Sequence, residues 1–385
     1  MKKFIVFLFP LFLFGIGFEE FKDKAVKNIF VSKALSIKKS IIQNRIKTRS
    51  NNPKLDFQMN RFKSKNESYN LGYAISINMS VLPKSFKDDS KKLSLLDINL
   101  TKSIYKKEKA SFIASLEKLY TEYIYEKSKI SLLKNEIKIA DSLLNIVKDK
   151  FKRGNETKAE ILKLALEKKR IENQLLMQQR VVKKAYFKLL EYANVDADLD
   201  SSSFLYTFED FKNRELQNQE LLIYRIKRDY FLKEVEVNSH TIDNYELFSE
   251  FEKEPDQDVI KIGVSFPLPI FNKKKEEREL SLINAKKVKY EEELLKKRLK
   301  ITLRNLKEKV LDLKKEYNSL TELKRDQKKL LNLYEEGYKI DKSSLIELLL
   351  SKNNLLKIDG FILDTLFYLN LEIIKLKYLQ GAYNE

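Results

Sequence analysis

Two stretches of this 385-residue chain, Lys87 to Lys152 and Asn272 to Glu336, contain neither glycine nor proline. Both are rich in Lys, Glu, Leu and Ile. Each predicts one helix about 95–100 Å long at 1.5 Å per residue. Helices of globular domains average about 11–12 residues, so rods of this length exclude an ordinary small domain. The whole chain holds only 8 Gly and 6 Pro, well under the usage of about 7% and 5% typical of turn-rich folds. The few breakers present therefore mark the architecture.

Those breakers repeat. Pro83 and Pro267 lie 184 residues apart, and Gly154 and Gly337 lie 183 apart. A duplicated unit at such a spacing calls for matching contents, and the contents match. Each half opens with a helix, Phe18 to Arg49 and Phe208 to Asn238. Each continues with a strand pair, 53–63 and 69–82 in the first half, 242–251 and 258–270 in the second. The long helices 87–152 and 272–336 follow. Return helices 157–194 and 342–382 come after the glycines, which places Gly154 and Gly337 at the tips of antiparallel helical hairpins. The repeats are residues 18–200 and 201–385. Leu299, Leu303, Leu306, Val310, Leu313, Tyr317 and Leu320 recur at alternating spacings of four and three, a heptad seam for a partner helix.

The second strand of each pair alternates. Tyr73, Ile75, Ile77, Met79 and Val81 face one way, and Ala74, Ser76, Asn78 and Ser80 the other. Ile260, Ile262, Val264, Phe266 and Leu268 repeat the pattern against Lys261, Gly263 and Ser265. Period two describes a strand with one apolar face. Its length suits a tilted membrane-spanning strand of about 9–11 residues, and a half-buried strand of a water-soluble sheet gives the same pattern.

Lys2 and Lys3 precede an apolar run from Phe4 to Ile16, and Gly15 and Gly17 supply small residues beyond it. That layout predicts a secretory signal over residues 1–17. No later segment offers 18 uninterrupted apolar residues, so the expectation is a mature chain without a transmembrane helix. The chain has no Cys and one His, His240. Disulfides, thiolate metal sites, His-rich metal sites and a lipidated N-terminal Cys are excluded. No nucleophile–base pair and no Gly-rich phosphate loop is present, so neither an enzyme nor a cofactor is expected. The net charge of +19 is spread along the chain among Glu and Asp, as on solvated helix faces. No nucleic-acid partner is expected.

If the four strands cross a membrane, every backbone polar group must pair within a closed barrel. The smallest such barrels have about eight strands. One chain cannot close, whereas three copies supply twelve.

The run Gly263-Val264-Ser265-Phe266-Pro267-Leu268-Pro269-Ile270-Phe271-Asn272 resembles the strand-to-helix junction of the TolC-like outer-membrane efflux proteins. Val81-Leu82-Pro83-Lys84-Ser85-Phe86 is a degenerate copy. Leu333-Tyr334-Glu335-Glu336-Gly337 followed by Ser344-Leu345-Ile346-Glu347 is similar to the family's tip turn and return helix. Phe151-Lys152-Arg153-Gly154 and Ala159-Glu160-Ile161-Leu162 correspond in the first half. Asn51-Asn52-Pro53-Lys54-Leu55 and the chain end Tyr378-Leu379-Gln380-Gly381-Ala382 also fit. The likeness covers essentially the whole mature chain in order.

It implies a mainly α fold with membrane β-strands: a homotrimer forming a twelve-stranded β-barrel continued by an α-helical barrel. It implies a bacterial outer-membrane location with a long periplasmic extension. The implied role is a passive conduit in tripartite efflux or type I secretion. The implied partners are outer-membrane lipid, a periplasmic adaptor (membrane fusion) protein and an inner-membrane transporter of the RND type. By motif position, Arg153, Gly154, Glu336 and Gly337 form adaptor-contacting tip turns. Glu160, Tyr334 and Lys339 form a periplasmic gate, and Pro83, Pro267 and Pro269 mark strand–helix junctions. Ser343 stands where some members carry an acidic constriction, with Glu347 nearby. The competing reading is a periplasmic coiled-coil adaptor or scaffold. Adaptors usually add Gly- and Val-rich β modules, which this sequence lacks.

Overall fold

The computed structural model describes residues 15–47, 52–62, 70–200, 203–211, 216–268, 270, 273–340 and 342–383. Most of the signal region, the 64–68 turn and Pro269 lie outside these residues. In chain order the elements are α1 (Phe18–Lys47), β1 (Lys54–Phe62), β2 (Asn70–Val81), α2 (Lys84–Lys152) and α3 (Lys158–Ala193). A single 3-10 turn (Phe208–Asp210) follows. Then come α4 (Gln219–Ser239), β3 (Tyr245–Lys253), β4 (Asp258–Ser265), α5 (Lys275–Lys339) and α6 (Leu345–Gln380). Helix, strand pair, long helix and return helix thus occur twice, in the order the repeat predicts.

Several boundaries differ from the expectation, and four of the differences bear on the argument. The helix expected from Phe208 begins instead at Gln219. Thr207 and Asp210 close a capping box on one 3-10 turn, and the extended Phe211 ends it. β3 starts at Tyr245 rather than 242, because its partner β2 ends at Val81, paired with Tyr245. β4 stops at Ser265 rather than 270. Pro267 has no N–H for a ladder, so pairing lapses before it. Finally, α5 continues past Gly337 to Lys339, and this moves the second tip.

The chain divides into two compact units that cut across the repeats. One unit comprises Ser32–Lys107 and Gln219–Arg298. It contains one antiparallel sheet in the order β1-β2-β3-β4. The two repeats meet where β2 pairs with β3, from Tyr73↔Lys253 to Val81↔Tyr245. Where strands pass into helices, Asp89 of α2 accepts from Lys233 Nζ at 2.8 Å and lies 3.0 Å from His240 Nε2. Phe86 meets the His240 ring edge-on at 5.7 Å. Lys274 Nζ donates to Asp243 at 2.8 Å. Arg225 and Arg228 of α4 both hold Glu292 of α5, at 3.0 and 3.2 Å.

The other unit comprises the chain up to Val31, Glu108–Asn218 and Leu299 onward. The predicted heptad seam finds its partner here within the chain. Val310 packs with Leu369 and Ile373 of α6, flanked by Leu313, Phe208 and Phe211. The Phe18 ring of α1 meets Tyr120 of α2 at a tilt, 4.2 Å between centroids, and Phe30 meets Phe112 edge-on at 5.6 Å.

A buried polar knot completes this unit. Glu117 of α2 is 1% exposed. Tyr206 donates to its Oε2 at 2.7 Å, and Tyr383 donates to the same oxygen. Lys377 Nζ donates to the Tyr206 hydroxyl at 2.8 Å, and Lys22 Nζ lies 3.9 Å from Glu117. Asn370 and the Tyr206 backbone exchange two bonds, 2.9 and 3.0 Å. Burial first, and the Glu117 charge second, push both tyrosine hydroxyls above their ordinary range, so both remain proton donors. The knot joins α1, α2, the inter-repeat link, α6 and the chain end. Burying a carboxylate is tolerable only when its lone pairs are satisfied.

Two outcomes follow. Tyr206→Phe leaves Glu117 and Lys377 each short of a partner and should cost about 1–3 kcal/mol in thermal unfolding. Asp89 is held down to about 2 from 3.8, first by the Lys233 hydrogen bond and then by His240. A depressed carboxyl stabilises fully above its unfolded value and loses that contribution as pH falls through the folded one. The stability gap between the native protein and Asp89→Asn should therefore stay constant down to pH 3.8 and close as the pH approaches 2.

Candidate functional site

Two regions carry candidate function, one in each unit. The first is the sheet. Alternation sorts its side chains onto two faces, and the ladder registers align those faces across all four strands. Leu55 pairs with Ile77, and Phe57 with Ile75. Ile75 in turn pairs with Phe251, and Phe251 with Ile260. All these residues lie on one face. That face is uncovered: Leu55 is 70% exposed, Met59 67%, Ile260 70% and Ile262 81%. A half-buried strand of a water-soluble sheet would have this face packed, and nothing among the described residues covers it.

The opposite face is polar and internally bonded. Lys261 Nζ donates to Glu250 at 2.8 Å and to Glu252 at 2.9 Å. Asn78 donates to Asp56 at 3.0 Å. Among the described residues β1 and β4 each pair on one side only, so both outer edges present free N–H and C=O groups. A four-stranded sheet with one bare apolar face and two open edges is unfinished in water. Pro83 stands two residues beyond β2 and immediately before α2, its carbonyl accepting from Lys87 N at 2.9 Å. Pro267 stands two residues beyond β4.

The second region is the pair of hairpin tips. At the first, Gly154 takes a left-handed backbone, φ +79°, between α2 and α3, with open space where a Cβ would go. Arg153 beside it donates to its own helix at Asp149 O, 3.2 Å. At the second tip α5 ends at Lys339 and α6 begins at Leu345. Glu336 and Gly337, expected in the tip turn, lie within α5. Gly337 has a different task from Gly154. Its carbonyl accepts from Lys342 N at 2.8 Å, and a Cβ there would press into Ser343. Gly154 serves a backbone angle, whereas Gly337 serves a close approach.

The expected gate residues are not gathered within one chain. Tyr334 packs against the apolar cluster of Leu143, Val147, Leu164 and Leu331. Lys339 is exposed. Glu160 lies in the first turn of α3, its N–H capped by Thr157 Oγ1 at 3.3 Å. Its Oε2 is shielded and meets no donor among the described residues. What the tips do bring together is Tyr338, Glu156 and Lys150. Tyr338 is 2% exposed, donates its hydroxyl to Glu156, and lies under the Lys150 ammonium at 3.9 Å. This contact ties the α5–α6 hairpin to the α2–α3 turn. Tyr338 falls on the same helix face as Leu331 and Tyr334, at spacings of seven and four. Extending the α5 periodicity one residue past Gly337 would have found it.

No protein family profile and no curated protein matches the sequence. Solved structures do match the fold. CusC, studied for conformational changes accompanying folding and transmembrane channel formation, superposes with TM-score 0.78 at 10% identity, over 96% of this chain and 93% of its own. The Campylobacter jejuni CmeC outer membrane channel gives 0.73 at 16% identity, over 94% and 85%. The open state of the Neisseria gonorrhoeae MtrE outer membrane channel gives 0.72 at 15%, over 94% and 88%. The chain therefore has the TolC-like fold, with its tandem repeats of strand pair and helical hairpin.

The two glycines make opposite predictions. Gly154→Ala must hold a left-handed Cβ and should lose about 1–2 kcal/mol in thermal unfolding. Gly337→Ala combined with Ser343→Ala removes the clash and should gain up to about 1 kcal/mol from helix propensity.

Proposed function

We propose that this chain is one subunit of an outer-membrane channel, a passive conduit between the periplasm and the cell exterior. The observation that carries the reading is the sheet: an apolar face bare across four strands, a polar face behind it, and two unpaired edges. Lipid satisfies the first feature, an aqueous lumen the second, and further copies the third. β4 of one copy would pair with β1 of the next, and three copies would close twelve strands. The apolar alternation of β2, exposed from Tyr73 through Ile77 and half-buried at Met79 and Val81, suits the outward apolar band of about 25 Å in such barrels. The fold likeness to CusC, CmeC and MtrE supports the same role.

In this reading residues 1–17 direct export, and the helical hairpins line a periplasmic duct. The tips, with Arg153, Gly154, Glu336 and Gly337, meet a periplasmic adaptor that links the channel to an inner-membrane transporter of the RND type or to a type I secretion exporter. Glu160, Tyr334 and Lys339 take gating roles that need neighbouring copies. The shielded, unpartnered Glu160 oxygen supports that assignment, since a donor from another chain would satisfy it. The Tyr338–Glu156 bond would tie the two tips of each copy as one moving body.

The purified protein should require detergent, run as an oligomer in gels unless heated, and conduct ions in planar bilayers. A monomer soluble without detergent would overturn the reading. Ile262→Lys places a charge on the apolar face, where mid-bilayer lysine costs about 2–4 kcal/mol. It should lower the fraction of protein recovered in the membrane, whereas Ser265→Lys, on the opposite face, should leave recovery unchanged.

A further inference from the structure

At one end of the sheet the chain passes from strand to helix, and lysines collect there. Phe266, Leu268 and Ile270 continue the exposed apolar surface beyond β4, at 51, 68 and 69% exposure. Lys273 follows within three residues. On the neighbouring repeat β2 ends at Val81, and Lys84 and Lys87 stand in the first turn of α2. All three lysines are exposed, and none has an acidic partner among the described residues. Most other cations near this end are paired: Lys233 with Asp89, Lys274 with Asp243, Arg225 and Arg228 with Glu292.

The placement of Lys84 and Lys87 runs against helix electrostatics. A helix N-terminus carries partial positive charge and favours acids. α5 follows that rule with Glu276 and Glu277, whereas the first turn of α2 has no acid. Two cations at a positive helix end, without an acidic partner among the described residues, and a third beyond β4 at the same end of the sheet ask for an anion from outside the chain.

We propose that Lys84, Lys87 and Lys273 form a belt that binds the phosphate headgroups of anionic phospholipid in the periplasmic leaflet. The inference rests on the membrane reading above, which sets the depth of the apolar face and so the level of the lysines. Bare apolar surface ends where the cations begin, as lipid tails give way to headgroups. Long lysine stems lie along apolar surface while the ammonium reaches the phosphate, and anionic lipid attracts each such cation. Asp88 follows Lys87, and Glu276 and Glu277 open α5, so acids bound the band on its helix side.

The test is lipid retention by the full chain. Native and K84Q/K87Q/K273Q proteins are reconstituted in vesicles of mixed phosphatidylglycerol and phosphatidylcholine and extracted in mild detergent. The lipids still bound to the oligomer are then counted by native mass spectrometry. The native protein should be enriched in phosphatidylglycerol, and the triple variant should lose that preference about tenfold or more. K286Q/K287Q/K289Q removes three equally exposed lysines from α5 and should keep the enrichment. Among the variants, unchanged preference in the first, or equal loss in the second, which would mean net charge alone, overturns the belt. Failure of the native protein to enter either lipid would instead sink the membrane reading itself. Insertion without phosphatidylglycerol preference would sink only the belt.

Discussion

Backbone hydrogen bonding at the ends of a four-stranded sheet is the constraint on which the rest depends. Each strand needs partners on both sides, and one chain supplies them for β2 and β3 alone. The side chains pose the same problem in another form, because nothing among the described residues covers the apolar face that alternation builds. A sheet of this kind is stable only where another phase covers its face and other strands close its edges. The duplication is what brings four strands together, since β2 of the first repeat and β3 of the second form the central ladder.

The helical unit solves a different problem. Its apolar seams are satisfied within the chain, by Val310 against Leu369 and Ile373 and by the cluster beneath the tips. Its uniqueness comes from polar groups. Glu117 is buried where only tyrosine and lysine donors from three distant segments can satisfy it. An apolar core tolerates sliding of one helix along another better than a buried carboxylate does, because displacement leaves that charge unpaired. Near the tips Tyr338 and Glu156 play a similar part on a smaller scale. A tyrosine from one hairpin fixes the turn of the other.

Much of this was legible in the residues. The absence of breakers gave α2 and α5, the spacing of Pro83, Pro267, Gly154 and Gly337 gave the duplication, and alternation gave the strand faces. The misses share a cause. The opening helix of the second repeat was drawn from Phe208 because its composition is helical, whereas a capping box at Thr207 and Asp210 closes a single turn there. β4 was drawn through Pro267 because the apolar alternation continues beyond the point where a ladder can. Gly337 was read as a turn because Gly154 is one, although the first needs closeness and the second a backbone angle. Tyr338, bonded to Glu156 across the tips, is named by no motif, whereas Glu160, Tyr334 and Lys339 rest on motif position alone.

By itself the sequence determined the periodicities, and with them the element types, their order and their doubling. Periodicity is a local property, written wherever side chains must share a face. Only the tertiary structure decided which faces are covered and which are bare, where each helix ends, and which donors reach Glu117 and Glu156. Those outcomes depend on segments a hundred or more residues apart arriving at one place. Packing and hydrogen-bond satisfaction are settled between neighbours in space, and no local pattern records them.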